Sequence, residues 1–214
     1  MIKTLSETNL TEICLELSAI DADLAHVYEK YGTPPLWERE ANFATLIHII
    51  LEQQVSLASA LSAFNKLKDK LEEITPENVL SLSDEELKSC YFSRQKIVYS
   101  RDLSNAIVDG KLNLEELQHL TNEEVKVSLK QIKGIGDWTA DIYLLMALLR
   151  MDVMPKGDIA LHAAYQKIKG LAQRPNSDEF IKLAEKWSPY RAVAARLLWH
   201  FYLSERKAKS QAAQ

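Results

Sequence analysis

The stretch QIKGIGDWTADIYLL, residues 131–145, places Gly134 and Gly136 between two runs of helix-forming residues, 121–132 and 137–150. Glycine takes a positive φ readily and leaves no side chain over the backbone. Such a turn exposes backbone N–H groups at the start of a helix, where the helix dipole also favours an anion. The pattern predicts positive φ at both glycines and a phosphate site beside them. An ordinary helix corner with a glycine C-cap is the alternative.

The composition favours helices and limits the kind of surface through which the protein could bind a nucleic acid. Glycine and proline number only 6 each in 214 residues, and 47% of the residues are hydrophobic. The net charge of −4 argues against a broadly basic nucleic-acid-binding surface. A grip made of backbone amides needs few basic side chains, so DNA remains compatible with this charge.

Cysteine usage and hydropathy indicate an intracellular protein without a membrane partner. Cys14 and Cys90 are far apart and share no metal-like spacing, which indicates a reducing compartment. Residues 1–17 contain no apolar run of the signal-peptide type. The most apolar stretch, 142–149, is well short of the ~20 residues that a membrane span needs. We expect a soluble monomer in the cytoplasm or nucleoid, or in the nucleus of a eukaryote.

Helix-start signals recur along the chain and predict an all-α fold of about a dozen helices. Three are capping boxes, and two place a Ser or Thr cap before a proline at the first helical position. The boxes are Ser83–Glu86, Thr121–Glu124 and Asn176–Glu179, and the proline pairs are Thr75–Pro76 and Ser188–Pro189. Between these signals apolar residues recur at spacings of three and four, the helical period.

Two motifs in order carry a resemblance to a known family. Residues 129–140, L-x-x-I-K-G-I-G-x-W-T-A, resemble the helix-hairpin-helix element that grips a DNA backbone without reading its sequence. Downstream, VMPKGDIALHAAYQKI (153–168) places Asp158 after a glycine, where a helix should begin. Asp is also a favoured N-cap, worth about 1 kcal/mol, so a structural role is the alternative. Hairpin and loop together resemble the helix-hairpin-helix DNA glycosylase superfamily, in which the aspartate of this loop is catalytic.

Further segments narrow the resemblance to one branch. The stretches 46–60 (LIHIILEQQVSLASA) and 186–202 (KWSPYRAVAARLLWHFY) are similar to the DNA-3-methyladenine glycosylase II, or alkylpurine DNA glycosylase, family. Where strand-cutting members carry a Schiff-base lysine, this chain has Trp138, so we expect no AP lyase activity. The two cysteines exclude the four-cysteine iron–sulfur loop of other branches. The resemblance spans residues 36–202 and implies a compact form without the N-terminal β domain of longer relatives.

The resemblance also implies roles for individual residues. Asp158 would be catalytic, and Gln54 would plug the gap that a flipped base leaves, unless Gln53 and Gln54 simply end a helix. Aromatic residues would line the base pocket, although the tryptophans also suit a core. The DNA-binding set is Lys133, Gly134, Ile135, Gly136, Thr139, Gln53, Gln54 and Ser56; the pocket set is Trp138, Trp199, Tyr143 and Tyr190. The implied cofactor is at most a structural Na⁺ or K⁺ on the carbonyls of Lys130, Ile132 and Ile135. Arg191 would touch phosphate, brace Asp158 or form a surface salt bridge.

Together these observations predict a two-lobed helical DNA glycosylase fold with a cleft between the lobes. One lobe would join residues 1–40 to 156–206, and the other would be a bundle of residues 41–155 carrying the hairpin at 129–140. Residues 207–214 would be a flexible tail. The predicted activity is excision of alkylated purines from damaged double-stranded DNA. A same-superfamily glycosylase for uracil, hypoxanthine or an oxidised purine, and a non-enzymatic DNA-binding protein, are the alternatives.

Overall fold

The computed structural model describes residues 3–212, which form α-helices joined by short loops. In chain order these helices are α1 (Glu7–Ile20), α2 (Ala22–Tyr31), α3 (Phe43–Glu52), α4 (Leu57–Lys70), α5 (Pro76–Ser81), α6 (Asp84–Ser89), α7 (Arg94–Val108), α8 (Leu114–Leu117), α9 (Asn122–Lys130), α10 (Asp137–Met146), α11 (Ile159–Lys169), α12 (Ser177–Ala184) and α13 (Arg191–Ala212). Extended pairing within the described range is limited to one bridge between Thr4 and Arg150. The all-α prediction is confirmed. None of the described helices combines the length and apolar character that a membrane crossing requires.

Side-chain caps form at four of the five helix starts that the sequence predicts. The predicted boxes at Ser83, Thr121 and Asn176 all form. Thr75 caps α5, with proline at its first position. The prediction for Ser188 is wrong, because α13 begins only at Arg191. The Ser188 hydroxyl instead donates to Asp152 at 3.0 Å, and its peptide bond to the following proline is cis.

The chain divides into two compact units. The end unit combines the segment that ends at Glu38 with the segment that begins at Leu149, and the middle unit consists of Arg39–Leu148. The boundary at which the chain returns from the middle unit to the end unit lies between Leu148 and Leu149, earlier than the predicted 155/156. Its cause is backbone pairing: the Leu5 amide donates to the Leu149 carbonyl at 2.7 Å, and the Met151 amide donates to the Lys3 carbonyl at 3.2 Å. Residues 207–212, predicted as flexible tail, continue α13 as helix, and 213–214 lie outside the described residues.

The end unit packs α13 against α1, α2 and α11. Asp21, which is buried, joins several of its elements: it caps α2, accepts the Trp187 indole N–H at 2.8 Å and pairs with Lys186 at 2.6 Å. Burial alone would raise the pKa of Asp21, but the hydrogen bonds from Lys186 and Trp187 outweigh it and hold the pKa below its usual range. The carboxylate therefore stays charged in the folded protein.

The middle unit places α3 at its centre, in contact with α4, α7 and α10. Helix α3 is almost wholly buried, with Leu46, Ile47, Ile49 and Ile50 excluded from solvent. Helices α9 and α10 form a pair, and the Lys126 ammonium lies 2.7 Å from the buried Asp141 carboxylate across it. Removing one partner of such a pair leaves a buried charge uncompensated, so this contact stabilises the packing of α9 against α10.

Replacing Asp21 by alanine should lower the free energy of unfolding by about 2–4 kcal/mol, since it removes a cap and leaves the buried Trp187 N–H without an acceptor. Denaturant unfolding at pH 7 measures this loss. Because the pKa of Asp21 is depressed, its stabilisation is present above the usual value of about 4 and lost as pH falls through the folded pKa. The difference between the two proteins should therefore shrink in acid. Asn176→Ala, a cap without a buried partner, should cost only about 1 kcal/mol.

Candidate functional site

The glycine turn between α9 and α10 uses its two glycines for different reasons. Gly134 has φ +90°, and a Cβ added there would lie 2.1 Å from Cγ of the Tyr99 ring. Conformation and packing therefore both require glycine at this position. Gly136 has φ −102°, so the prediction of a positive φ is wrong for it. A Cβ at Gly136 would meet no atom within 4 Å, and its place before α10 carries no side-chain cap. Glycine there leaves the start of the helix open to solvent.

Contacts from outside the turn hold it in place. The Gln53 amide nitrogen donates to the Gly134 carbonyl and to the Thr139 hydroxyl, both at 2.9 Å. The Asp102 carboxylate accepts the Lys133 N–H at 2.7 Å. Gln53 and Thr139, both predicted to bind DNA, thus commit these side-chain groups to the protein itself. Their side chains position the hairpin, so the predicted phosphate site depends on the exposed Lys133 side chain and on the backbone at the start of α10.

Several other predicted contact residues of the middle unit are buried. Ile135 is 4% exposed and its N–H donates to the Ile132 carbonyl at 3.1 Å, whereas the Lys133 side chain is exposed. Tyr143, predicted for the base pocket, is fully buried, and this burial raises the pKa of its hydroxyl to about 12. Its ring therefore has no free surface in this structure. Trp138 lies half-buried in the first turn of α10.

The turn between α3 and α4 presents Gln54 to solvent in a strained conformation. Gln54 is exposed and has φ +58°, a region that residues other than glycine rarely adopt. Such strain costs about 1–3 kcal/mol and persists where the surroundings enforce it. Gln53 before it is pinned to the hairpin, and Ser56 after it caps α4 by accepting the Ser59 N–H at 3.1 Å. Anchors on both sides thus hold an amide side chain out from a fixed turn.

In the end unit, the structure brings Asp158 and Trp199 together. Gly157, with φ +82°, turns the chain into α11, and Asp158 caps that helix by accepting the Leu161 N–H at 3.0 Å. The same carboxylate oxygen lies 3.3 Å from the Trp199 indole N–H, which donates to it. Asp158 is 8% exposed. The structural role as a cap is therefore real, and it fixes the carboxylate in one orientation beside an aromatic ring.

His162 lies one turn along α11 from Asp158. It is 5% exposed, and its ring centroid is 4.6 Å from that of Phe180. Burial lowers the pKa of His162 against the opposing influence of Asp158. The imidazole is consequently neutral near pH 7 and places no competing cation beside the carboxylate.

Two further predicted residues are engaged elsewhere in the end unit. The Tyr190 hydroxyl is hydrogen-bonded to Glu16, which raises the pKa of that tyrosine. Arg191 binds Asp152 through two guanidinium nitrogens, at 2.6 and 2.9 Å. Burial would raise the pKa of Asp152, but the Arg191 and Ser188 hydrogen bonds hold it low. Of the alternatives open for Arg191, the structure shows a salt bridge.

Sequence reasoning missed the residues that support the site. Tyr99 and Asp102 on α7 contact the glycine turn, and the Trp37 ring meets that of Trp199 edge-on at 6.2 Å. These contacts join residues more than thirty positions apart in the chain, so no local sequence pattern predicts them. The positive φ of Trp37, +50°, likewise carries no sequence signal.

Comparison with known proteins identifies the family. The model of the HhH-GPD superfamily base excision DNA repair proteins matches residues 47–189, so the chain belongs to that superfamily. DNA-3-methyladenine glycosylase 1 of Schizosaccharomyces pombe is 31% identical over 90% of this chain and 87% of its own length. Alkylbase DNA glycosidase-like protein mag2 of the same organism is 30% identical over 89% and 93%. The solved structure of S. pombe 3-methyladenine DNA glycosylase (Mag1) in complex with abasic DNA has a TM-score of 0.84 at 31% identity, covering 88% of this chain and 95% of that one.

The two glycines give a matched pair of variants. Gly134→Ala should lower the free energy of unfolding by about 2 kcal/mol or more, because it combines an unfavourable φ with a clash against Tyr99. Gly136→Ala should change stability by less than about 1 kcal/mol, since its Cβ enters open space. The same methyl group should weaken duplex DNA binding about tenfold by blocking close approach to the amides. Thermal unfolding and fluorescence anisotropy measure both effects. Unchanged DNA affinity in Gly136→Ala would exclude the turn as the anion grip.

Proposed function

We propose that this member of the HhH-GPD superfamily is a monofunctional DNA glycosylase that releases alkylated purines, such as 3-methyladenine or 7-methylguanine, from double-stranded DNA in base excision repair. The observation that carries the proposal is a nearly buried, oriented carboxylate, Asp158, in a chain that matches DNA-3-methyladenine glycosylase 1 over nine-tenths of its length. An intracellular monomer acting on the chromosome fits this activity.

Cleavage of the N-glycosidic bond is favoured by a fixed negative charge beside the sugar, because the sugar becomes cationic. When the bond between C1′ and the base nitrogen breaks, its electron pair leaves with the purine and neutralises the charge that alkylation gave the ring. The deoxyribose becomes an oxocarbenium ion, as in glycoside hydrolysis. The Asp158 carboxylate stabilises that cation, because the Leu161 and Trp199 donors hold it in one orientation. Water then bonds to C1′ and gives up one proton, completing hydrolysis.

Base extrusion and grip come from the other residues of the proposed site. The exposed and strained Gln54 fills the space of the flipped nucleotide and can hydrogen-bond the orphaned base. The open start of α10 at Gly136 holds a backbone phosphate through amides and the helix dipole. Trp138 in the middle unit and Trp199 in the end unit each carry an electron-rich ring, and such a ring attracts a cationic alkylated base by about 0.5–2 kcal/mol. No lysine stands at position 138, so a Schiff base, and with it strand scission, is not expected.

A monovalent cation fits the same turn. The carbonyls of Lys130, Ile132 and Ile135 lie at or just beyond the C-terminal end of α9, where the last carbonyls lack helical partners and the helix dipole is negative. Ile132 already accepts the Ile135 N–H at 3.1 Å and keeps a second lone pair. Neutral oxygen ligands of this kind suit Na⁺ or K⁺. The bound ion would place a positive charge beside the phosphate.

Asp158→Asn tests the proposed catalyst. Asparagine caps a helix as well as aspartate does, so the variant should fold and bind an abasic duplex as the wild type does. Loss of the charge should slow base release by about 100-fold or more. Mass spectrometry of bases freed from methylated DNA measures the rate, and the profile separates alkylpurines from uracil or oxidised bases. Strands should break only after added alkali.

The control for Asp158→Asn is Asp178→Asn, which neutralises an exposed carboxylate of the same unit paired with Lys156. Its rate of base release should stay within about twofold of the wild type, as expected for an exposed ion pair. Undiminished release by Asp158→Asn would remove that residue from the mechanism. Absence of any release by the wild type, with DNA binding intact, would favour a non-enzymatic DNA-binding protein.

Exchange of the salt tests the cation. Replacing KCl by tetramethylammonium chloride at equal ionic strength keeps screening constant but supplies an ion too large for three carbonyls. Duplex affinity should fall severalfold, and the temperature of unfolding should fall with it, since an ion that binds the folded state stabilises it. The expected losses should reverse on titration with K⁺ or Na⁺. Identical affinity and unfolding in the two salts would show that no such site exists.

A further inference from the structure

A groove of about 460 Å³ opens on the middle unit between α4 and the start of α7. Its lining includes the small side chains of Ala58, Ser59 and Ala63, which leave the space free, and the larger Val55 and Tyr91 at its edges. Val55 is 45% exposed and Tyr91 is 61% exposed. Apolar surface of this kind is exposed to water unless a partner covers it.

Tyr91 lies at the groove, where α6 ends in a left-handed backbone conformation. It follows α6, and its φ is +65°. The Tyr91 amide donates to the Lys88 carbonyl and the Phe92 amide to the Leu87 carbonyl, at 2.9 and 3.2 Å, which locks the helix end. Glycine takes this conformation without strain, and a bulky aromatic there is an outlier. The tyrosine presents a flat ring to solvent at the expense of backbone strain.

The charge around the groove selects an anionic partner. Lys96 is the one charged residue of its lining, and no lining residue is acidic. The Lys66 ammonium lies 4.9 Å from the centroid of the Tyr91 ring. The Lys96 ammonium donates to the Leu51 carbonyl. In a chain of net charge −4, an aromatic ring beside Lys66, in a groove that carries Lys96 and no acidic residue, matches a nucleotide, whose base stacks while its phosphate is neutralised.

The groove includes the residue that directly follows Gln54, the proposed plug, in the chain. Val55, at its edge, directly follows Gln54, and consecutive Cα atoms are about 3.8 Å apart. When Gln54 fills the gap left by a flipped base, the base on the other strand loses its pairing partner. We propose that this groove receives the nucleotide opposite the lesion and stacks its base on Tyr91, an inference that rests on the proposed function. The small floor residues admit any base, so the contact adds affinity without choosing among opposing bases.

A double-mutant cycle between protein and DNA tests the contact. One duplex carries a tetrahydrofuran abasic analogue opposite thymidine, and a second carries the analogue on both strands, so that the opposing base is missing while the phosphates remain. Tyr91→Gly removes the ring and relieves the positive φ; Tyr91→Asn is a second ringless variant whose residue tolerates that φ. Tyr91→Phe keeps the ring. Dissociation constants are measured by anisotropy at one fixed salt concentration, and unfolding temperatures establish that each variant is folded.

The two ringless variants should bind the thymidine duplex about tenfold more weakly and the base-free duplex equally well, because only the stacking contact is lost. Tyr91→Phe should stay within about twofold for both duplexes. Equal losses on the two duplexes, or no loss on either, would overturn the assignment of the groove. Wild-type protein that neither binds the abasic duplex nor releases alkylated bases would overturn the proposed function instead.

Discussion

The contact of the Tyr99 ring with the backbone of Gly134 is the constraint on which the proposed DNA-binding end of the middle unit depends. With no Cβ at Gly134, the ring of a neighbouring helix lies directly against the turn, and a side chain there would have to displace it. The left-handed φ of Gly134 then directs its carbonyl towards Gln53, whose amide also reaches Thr139 in the first turn of α10. One residue thus connects helix packing, turn conformation and the direction of α10. The amides at the start of α10 are presented by a rigid support.

The carboxylate proposed as the catalyst is held in the end unit by a contact that also caps a helix. Asp158 as a helix cap and Asp158 as a catalyst are compatible roles, because the hydrogen bond that caps α11 is also the one that orients the carboxylate. Trp199 adds a second donor and is itself braced edge-on by Trp37. Electrostatic stabilisation is effective when the charged group need not reorganise during the reaction. Burial, capping and the indole contact together supply that preorganisation.

Local signals allowed much of the fold to be predicted, and long-range contacts account for what was missed. The capping residues Thr75, Ser83 and Thr121 start helices as expected, because capping acts over three residues of the chain. Asp158 was placed correctly at its helix start for the same reason. The roles of Gln53 and Thr139 could not be read in this way: a glutamine beside a plug residue looks equally suited to DNA and to a partner 81 residues away. The positive φ expected of Gly136 was wrong because this residue takes the extended conformation usual for a helix N-cap, with φ −102°.

A few residues in each of the two units have a strained backbone conformation, which lowers the stability of the fold. Among residues 3–212, positive φ outside glycine occurs at Trp37, Gln54, Tyr91 and Leu149. Each such conformation costs about 1–3 kcal/mol, a substantial part of the net stability of a domain. Leu149 is held by its carbonyl bond to Leu5 where the chain re-enters the end unit. The other three lie at exposed or half-exposed positions: Trp37 contacts the ring of Trp199, Gln54 is the residue proposed as the plug, and Tyr91 lines the groove. Strain at Gln54 and Tyr91, whose side chains are exposed, is of the kind that persists at ligand-binding positions.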